Sequence, residues 1–299
     1  MTELTAANVA LPVRRPRVDR IWLLIVPVLA LFAVFFAAPI VSLFSISLNP
    51  PVFGIVTFQP EITLTNFIRF FTNDLYYGSA IASIVFSLIV PFVTLVLGYP
   101  LAYIVARTKS PGLMTFFLIL ILGSLQLDIV VRLYGLTVLF GDNGLINGFL
   151  RSVGLIEGHI SLMYNETGVV IGLVQLSLPV MVLASIAAIR GIDHSYEEAG
   201  RSLGASHWAV FWRITFPLSM PGVLAGSLLV FGITISSYVV PSIMGGNRVF
   251  VMPMNMYNQI TSQAQWQFGA AIGVVLFTIS LVAIFLYHRF AQRQVGGLV

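Results

Sequence analysis

Cysteine is absent from this 299-residue chain, which removes disulfides, thiolate nucleophiles and cysteine-ligated zinc together. Charge is scarce. Asp, Glu, Lys and Arg make up 9% of residues, against about 25% in soluble domains, so an ordinary water-soluble fold is excluded. The four histidines, His159, His194, His207 and His288, are scattered and show no metal-ligand spacing. There is no Gly-x4-Gly-Lys-Ser/Thr segment to cradle phosphates, and no Gly-x-Ser-x-Gly turn to present a nucleophile. The net charge of +4 is spread between apolar runs. Without a basic stripe interleaved with aromatics, nucleic acid is not a natural partner.

What the chain has instead is apolar length. Hydrophobic residues make up 58% of it and mean hydropathy is +0.97. Apolar runs lie at about 21–48, 79–106, 112–140, 168–189, 219–243 and 269–288, each long enough to cross about 30 Å of hydrocarbon as a helix. The first is too long for a secretory signal, whose apolar region is about 7–15 residues, so it reads as an uncleaved span. The pattern predicts an all-α polytopic membrane protein. It has a tail at 1–20, a six-span domain over 21–290 and a tail at 291–299.

Basic residues orient such a chain. With the N-terminus inside, the cytoplasmic face receives Arg14, Arg15, Arg17, Arg20, Arg107, Lys109, Arg190, Arg201, Arg213, Arg289 and Arg293. The outer face receives Arg69, Arg151 and Arg248. Both termini are therefore expected in the cytoplasm. The outer loops carry a short amphipathic helix near Asn66–Phe71, then the turn Gly141-Asp142-Asn143-Gly144 and a small helix, Leu145–Val153. Trp22, Trp208, Trp212 and Trp266 fall near span ends, as aromatic belts do.

One polar interruption stands out, Asp193 to Pro217, holding two adjacent carboxylates, two Arg and two His between apolar runs. Ser195 is placed to cap a helix, with Glu198 three residues on completing a capping box. Gly204 is placed to stop it in a left-handed conformation. A return helix, Trp208 to Ile214, then runs to Pro217.

The spacing Glu198-Ala199-Gly200, Gly204, Ile214, Phe216-Pro217 resembles the Glu-Ala-Ala loop of importer permeases. Those are the membrane subunits of ATP-binding-cassette (ABC) importers that use a substrate-binding protein. Gly200 stands where the second Ala is usual, and Phe216 where Leu is usual. The resemblance implies a cytoplasmic coupling helix between spans 4 and 5. Glu198, Ala199, Gly200, Ser202, Leu203, Gly204 and Ala205 would engage an ATPase subunit. Glu198 would make a charge-assisted contact, or close a cap on Ser195. The small residues would allow close approach to the partner, or merely pack the turn internally. Further segments resemble the spermidine/putrescine branch: Gly98-Tyr99-Pro100-Leu101-Ala102-Tyr103, Val131-Arg132-Leu133-Tyr134, Gly141–Asn147, Pro221–Ser227 and Phe268-Gly269-Ala270-Ala271. By implication the complex adds a second related permease, two ATPase subunits that carry ATP and magnesium, and a periplasmic or lipid-anchored binding protein. This chain would bind no cofactor itself and would reside in a bacterial inner membrane.

Asp128 and Arg132, at i and i+4 in the third run, are expected on one helix face, where they can pair or face a wet path. Tyr134, Ser236, Ser237 and Tyr238 are further candidates for the substrate path, or polar glue between helices. Where that branch often has Gly-Asp-Phe-Val-Thr-Pro, this chain reads Ser236-Ser237-Tyr238-Val239-Val240-Pro241. The missing carboxylate leaves a polyamine and another small amine, opine or amino-acid derivative both open. Gln126 and Gln175 are expected as buried amides. Pro91, Pro100, Pro179 and Pro241 are possible kinks. A self-sufficient secondary transporter would need paired broken helices in two halves and leaves the Glu198 loop without purpose. A membrane enzyme would need more titratable groups at one depth than Asp128 and Arg132.

Overall fold

In hydrocarbon every backbone amide must find a partner within the chain, and the helix does so within one segment. A computed structural model describes residues 19–54 and 61–295, without the side chains of residues 19–24, 288 and 290–295. The arginines at 14, 15 and 17, which carry part of the orientation argument, lie outside the described residues. Among the described residues all regular structure is helical.

Helix α1 (Asp19–Phe32) passes through a π-helical turn, Ala33–Ala37, into α2 (Ala38–Ser47). Short α3 (Thr65–Thr72) precedes the long α4 (Asp74–Arg107), α5 (Pro111–Gln126), α6 (Ile129–Phe140) and small α7 (Leu145–Ser152). Then come α8 (Glu166–Arg190), α9 (His194–Ser202) and α10 (His207–Val210). A second π-helical turn, Phe211–Thr215, leads into α11 (Phe216–Ile235), followed by α12 (Val239–Met244), α13 (Met252–Thr261) and α14 (Trp266–Val295). Among the described residues six apolar stretches are long enough to cross a membrane: Ile25–Ser47, Asp74–Arg107, Ile129–Ser152, Glu166–Arg190, His207–Ile235 and Trp266–Tyr287. The stretch from Ile129 is interrupted by the turn at Gly141–Gly144. The apolar α5 before it has 16 residues, short of the roughly 20 that a crossing needs.

The bundle is built on α4, α8 and α11, which pack on one another. Helices α8 and α11 approach closely. A Cβ placed at Gly226 would stand 2.8 Å from Ala184 Cβ, and one at Gly222 would overlap Ala188 Cβ. Small residues four apart on both helices thus bring the backbones together, the usual device where lipid offers no hydrophobic drive between helices. One apolar cluster (Tyr99, Val105, Ile121, Ile186, Ile189, Val223) joins α4, α5, α8 and α11. A second, with Phe86, Leu133, Leu173, Val230, Val240 and Met244, adds α6 and α12. A third (Phe70, Tyr76, Met252, Phe268, Ile272) ties α3 and α13 to α4 and α14. There Arg69 donates to Gln265 Oε1 at 2.5 Å and lies 4.1 Å over the Phe268 ring.

Three expectations change. The third apolar run is not one helix: it breaks at Leu127-Asp128. Asp128 is the N-cap of α6, with Oδ1 accepting from the Val130 amide at 2.8 Å and the Val131 amide at 3.4 Å. The fifth run likewise ends at Ile235, with Ser236 to Tyr238 between α11 and α12. Gln126, expected buried, is exposed at the first break.

Candidate functional site

The interruption at 193–217 folds as a short helix, a glycine turn and a return helix. The cap differs from the expected one. Asp193, not Ser195, is the N-cap: its Oδ1 accepts from the Ser195 amide at 2.8 Å. That bond holds the Asp193 carboxyl below the ordinary value of 3.8. An Asp cap places an anion on the positive end of the helix as well as satisfying an orphan amide. Glu198, freed from any capping box, is exposed, its nearest ionic neighbour being His194 Nε2 at 3.8 Å. At the other end Gly204 takes φ +85° with open space around its α-carbon, and the Gly204 amide donates to Arg201 O at 2.9 Å. Left-handed backbone of this kind suits glycine.

The return helix is not separate from the fifth apolar helix. It starts at His207, capped by Ser206 Oγ accepting from the Ala209 amide at 3.2 Å, and continues through the π-helical turn into α11. Pro217 sits just beyond that turn. Lacking an amide proton, it cannot donate to the carbonyl of Arg213, and π-helical turns commonly mark functional sites.

The neighbouring carboxylate is the buried one. Glu197 is 4% exposed, and one of its oxygens, Oε1, takes three donors. Arg107 Nη2 lies at 2.8 Å, Arg107 Nε at 2.9 Å and Thr215 Oγ1 at 2.9 Å. His194 Nδ1 lies 3.5 Å from Oε2. Arg107 also donates to Ile192 O from Nη1 and Nη2, both at 3.3 Å. A buried carboxylate persists only when paired and hydrogen-bonded, and removing one partner typically costs about 3–5 kcal/mol. This group therefore joins the end of α4, the middle of α9 and the end of the π-helical turn. Gly200 closes the same joint from the apolar side. It is buried, and a Cβ there would stand 2.7 Å from Ile214 Cδ1 and 3.3 Å from Val210 Cγ2. Ala199, Ser202, Leu203 and Gly204 form an exposed strip with Glu198, and Ala205 is half-buried at its edge. Leu203 is 89% exposed.

At the two breaks, the expected Asp128–Arg132 pair does not form. Asp128 spends one oxygen on the α6 cap and is exposed. Arg132 points elsewhere, with Nε and Nη1 buried and without a hydrogen-bond partner among the described residues. The reason is geometric: a capping residue lies outside the helix, so i,i+4 facing does not apply to it. Tyr134 is exposed. Ser236 Oγ is occupied by Gly232 O at 2.7 Å, Ser237 is half-buried, and Tyr238 packs on Tyr257 with ring centroids 4.6 Å apart. Ile129 and Tyr238, one residue from Asp128 and Ser237, border the same apolar cluster.

A family model described as binding-protein-dependent transport system inner membrane component matches residues 98–296. The chain belongs to that family. The spermidine/putrescine transport system permease protein PotB of Haemophilus influenzae is 32% identical over 228 residues, 76% of this chain and 79% of that one. PotB of Escherichia coli K12 is 34% identical over 229 residues, 76% and 82% of the two chains. A bacterial ABC transporter involved in import of the acidic polysaccharide alginate gives a TM-score of 0.77 at 15% identity, over 92% of this chain and 95% of that one. The inward-facing MetNI methionine ABC transporter gives 0.58 at 12% identity, over 74% and 96%. At those identities the likeness is one of fold. The chain is thus the permease subunit of an ABC importer, a non-catalytic component of the inner membrane.

In this permease, sequence reasoning missed Glu197, Arg107 and Thr215. A signal was present: Glu197 and Gly200 are three apart on α9 and face one side together, while Glu198 turns outward.

Proposed function

We propose that this permease forms half of the translocation path for a polyamine, and that the strip Glu198 to Ala205 is where an ATPase subunit docks. The observation that carries the docking reading is the division of labour between two adjacent carboxylates. Glu197 is consumed inside the protein, while Glu198 is presented on a helix end beside exposed Leu203. An exposed carboxylate suits a basic side chain of the partner, and an apolar tip suits a groove. The proposed assembly has two ATPase subunits, which hold ATP and magnesium, a second related permease and a periplasmic or lipid-anchored binding protein.

The orientation follows from the basic residues: α9 faces the cytoplasm with both tails, and the third crossing runs through α5 and α6. ATP binding draws the ATPase subunits together, α9 moves with them, and the bundle opens outward to accept solute from the binding protein. Hydrolysis resets it. In this reading Asp128 meets the ammonium groups of the solute, since its carboxylate is exposed and has no ion-pair partner among the described residues. Arg132 and Tyr134 at the first break, and Ser236, Ser237 and Tyr238 at the second, are the further residues of the path in this reading. Two PotB relatives at 32% and 34% identity support the polyamine class. The Ser236-Ser237-Tyr238 departure supports a second reading, a less cationic amine, opine or amino-acid derivative.

The test is co-purification from detergent. Wild type should bring down an ATPase subunit, and Glu198→Arg with Gly204→Trp should lose both it and uptake. A double variant that retains both refutes the docking assignment. Thermal shift of the cognate binding protein with spermidine, putrescine, opines and amino acids separates the two solute classes.

A further inference from the structure

The buried ion cluster behind the proposed docking strip ties α9 to both α4 and α11. Helix α9 is nine residues long, and such a helix has no stability of its own. It can transmit movement only if something fastens it to the long helices. On one side Gly200 seats it on Val210 and Ile214, an apolar contact with no directional bond. On the other, Glu197 is bonded at once to Arg107, the last residue of α4, and to Thr215, where the π-helical turn enters α11. Charge-assisted hydrogen bonds have fixed geometry, and sliding them apart would leave a charge buried alone. Nearby, Tyr99 and Ser219 join α4 to α11 through their hydroxyls at 2.7 Å, so the two long helices are linked at two levels. Helices α4 and α11, with α8, are the packed centre of the bundle. Arg107 also holds the Ile192 carbonyl, which fixes the chain entering α9.

We propose that Arg107, Glu197 and Thr215 are positioning residues that convert displacement of α9 into concerted movement of α4 and α11. They form a polar tie whose role is transmission rather than docking. The proposal rests on α9 being the ATPase-docking helix, and it adds that docking alone does not move the path. Without the tie, α9 would shift on its apolar seat and the ATPase would turn over with little effect on the bundle.

Because the chain has no cysteine, Ser236→Cys supplies one reporter thiol on it, at the exposed break after α11. The complex, purified through a tag on this chain with its own partners and placed in nanodiscs, is treated with N-ethylmaleimide. Alkylation of this chain is followed by mass spectrometry with no nucleotide and after trapping with ATP and vanadate. In the reporter background the two rates should differ severalfold. Glu197→Gln, nearly isosteric and able to keep the Thr215 bond, should shrink that difference at least fivefold with ATPase subunits retained. Thr215→Val should give a smaller loss, and the exchange Arg107→Glu with Glu197→Arg should recover part of it. Retained docking with an undiminished difference in Glu197→Gln would overturn the tie alone. Loss of the ATPase subunits from Glu197→Gln and Thr215→Val would also overturn it, making the cluster part of the docking surface. An intact complex in which wild type carries no ATPase subunit on α9 would overturn the docking reading, and the tie with it.

Discussion

Replacing Gly222 or Gly226 with alanine should destabilise the bundle by an amount the geometry sets. A Cβ at Gly226 would lie 2.8 Å from Ala184 Cβ, and carbon atoms settle at about 3.5–4.0 Å. Ala184 has no rotamer to move its Cβ aside, so α8 and α11 must separate by roughly 0.7 Å or more. At Gly222 the overlap with Ala188 Cβ is worse, and Ala188 Cα itself would be 3.3 Å away. Overpacking of this kind costs about 1–3 kcal/mol, and the upper end applies to Gly222→Ala. The double variant should cost less than the two singles added, since one separation of the helices relieves both overlaps. Ala188→Gly in the Gly222→Ala background should recover at least half the loss, less the roughly 1 kcal/mol of helix propensity that glycine forfeits. Reversible unfolding in mixed micelles of SDS and a mild detergent, followed by far-ultraviolet circular dichroism, measures these differences. If Gly222→Ala unfolds within about 0.5 kcal/mol of wild type, the close crossing does not carry the bundle.

Other consequences follow from single residues. Asp128→Asn keeps a good cap for α6 while deleting the charge, so spermidine uptake should fall about 10–100-fold, the equivalent of one charge-assisted bond, with protein yield unchanged; equal uptake removes Asp128 from the path. At the loop, Gly204→Ala meets open space and bears only the left-handed backbone cost of about 1–2 kcal/mol, whereas Gly200→Leu meets Ile214 and Val210 and should abolish ATPase co-purification. The Asp193 cap should respond to pH in one direction. Its carboxyl is depressed by the Ser195 amide, so the stabilisation is complete above the ordinary carboxylate range and is lost as pH falls through the lowered value. Hydrogen exchange at the start of α9 should quicken there in wild type and stay flat in Asp193→Asn.

Six helices long and apolar enough to cross a membrane were legible because apolar length is a composition signal, and the polar helix-turn-helix at 193–217 because its charges stand alone among apolar runs. The breaks at 127–128 and 236–238 were not, since residues on both sides of each are equally apolar and periodicity cannot mark an interruption in lipid-facing sequence. Asp128 was legible as a charge but not as a cap; read as mid-helix it pointed to a partner, Arg132, that it does not meet. Glu197 and Glu198 look alike in sequence. Beyond the shared face of Glu197 and Gly200, it takes the arrival of Arg107, ninety residues earlier in the chain, and of Thr215 to separate the buried one from the exposed one. The π-helical turn before Pro217 has no pattern that distinguishes it from an ordinary helix start.

The proposed mechanism requires α9 to face the cytoplasm under an ATPase subunit. A lone cysteine at Leu203 tests this directly with a membrane-impermeant maleimide on sealed vesicles of both orientations. Labelling should occur only in inside-out vesicles and should drop when the ATPase subunits are present. Labelling from the outside, or labelling indifferent to those subunits, would contradict it.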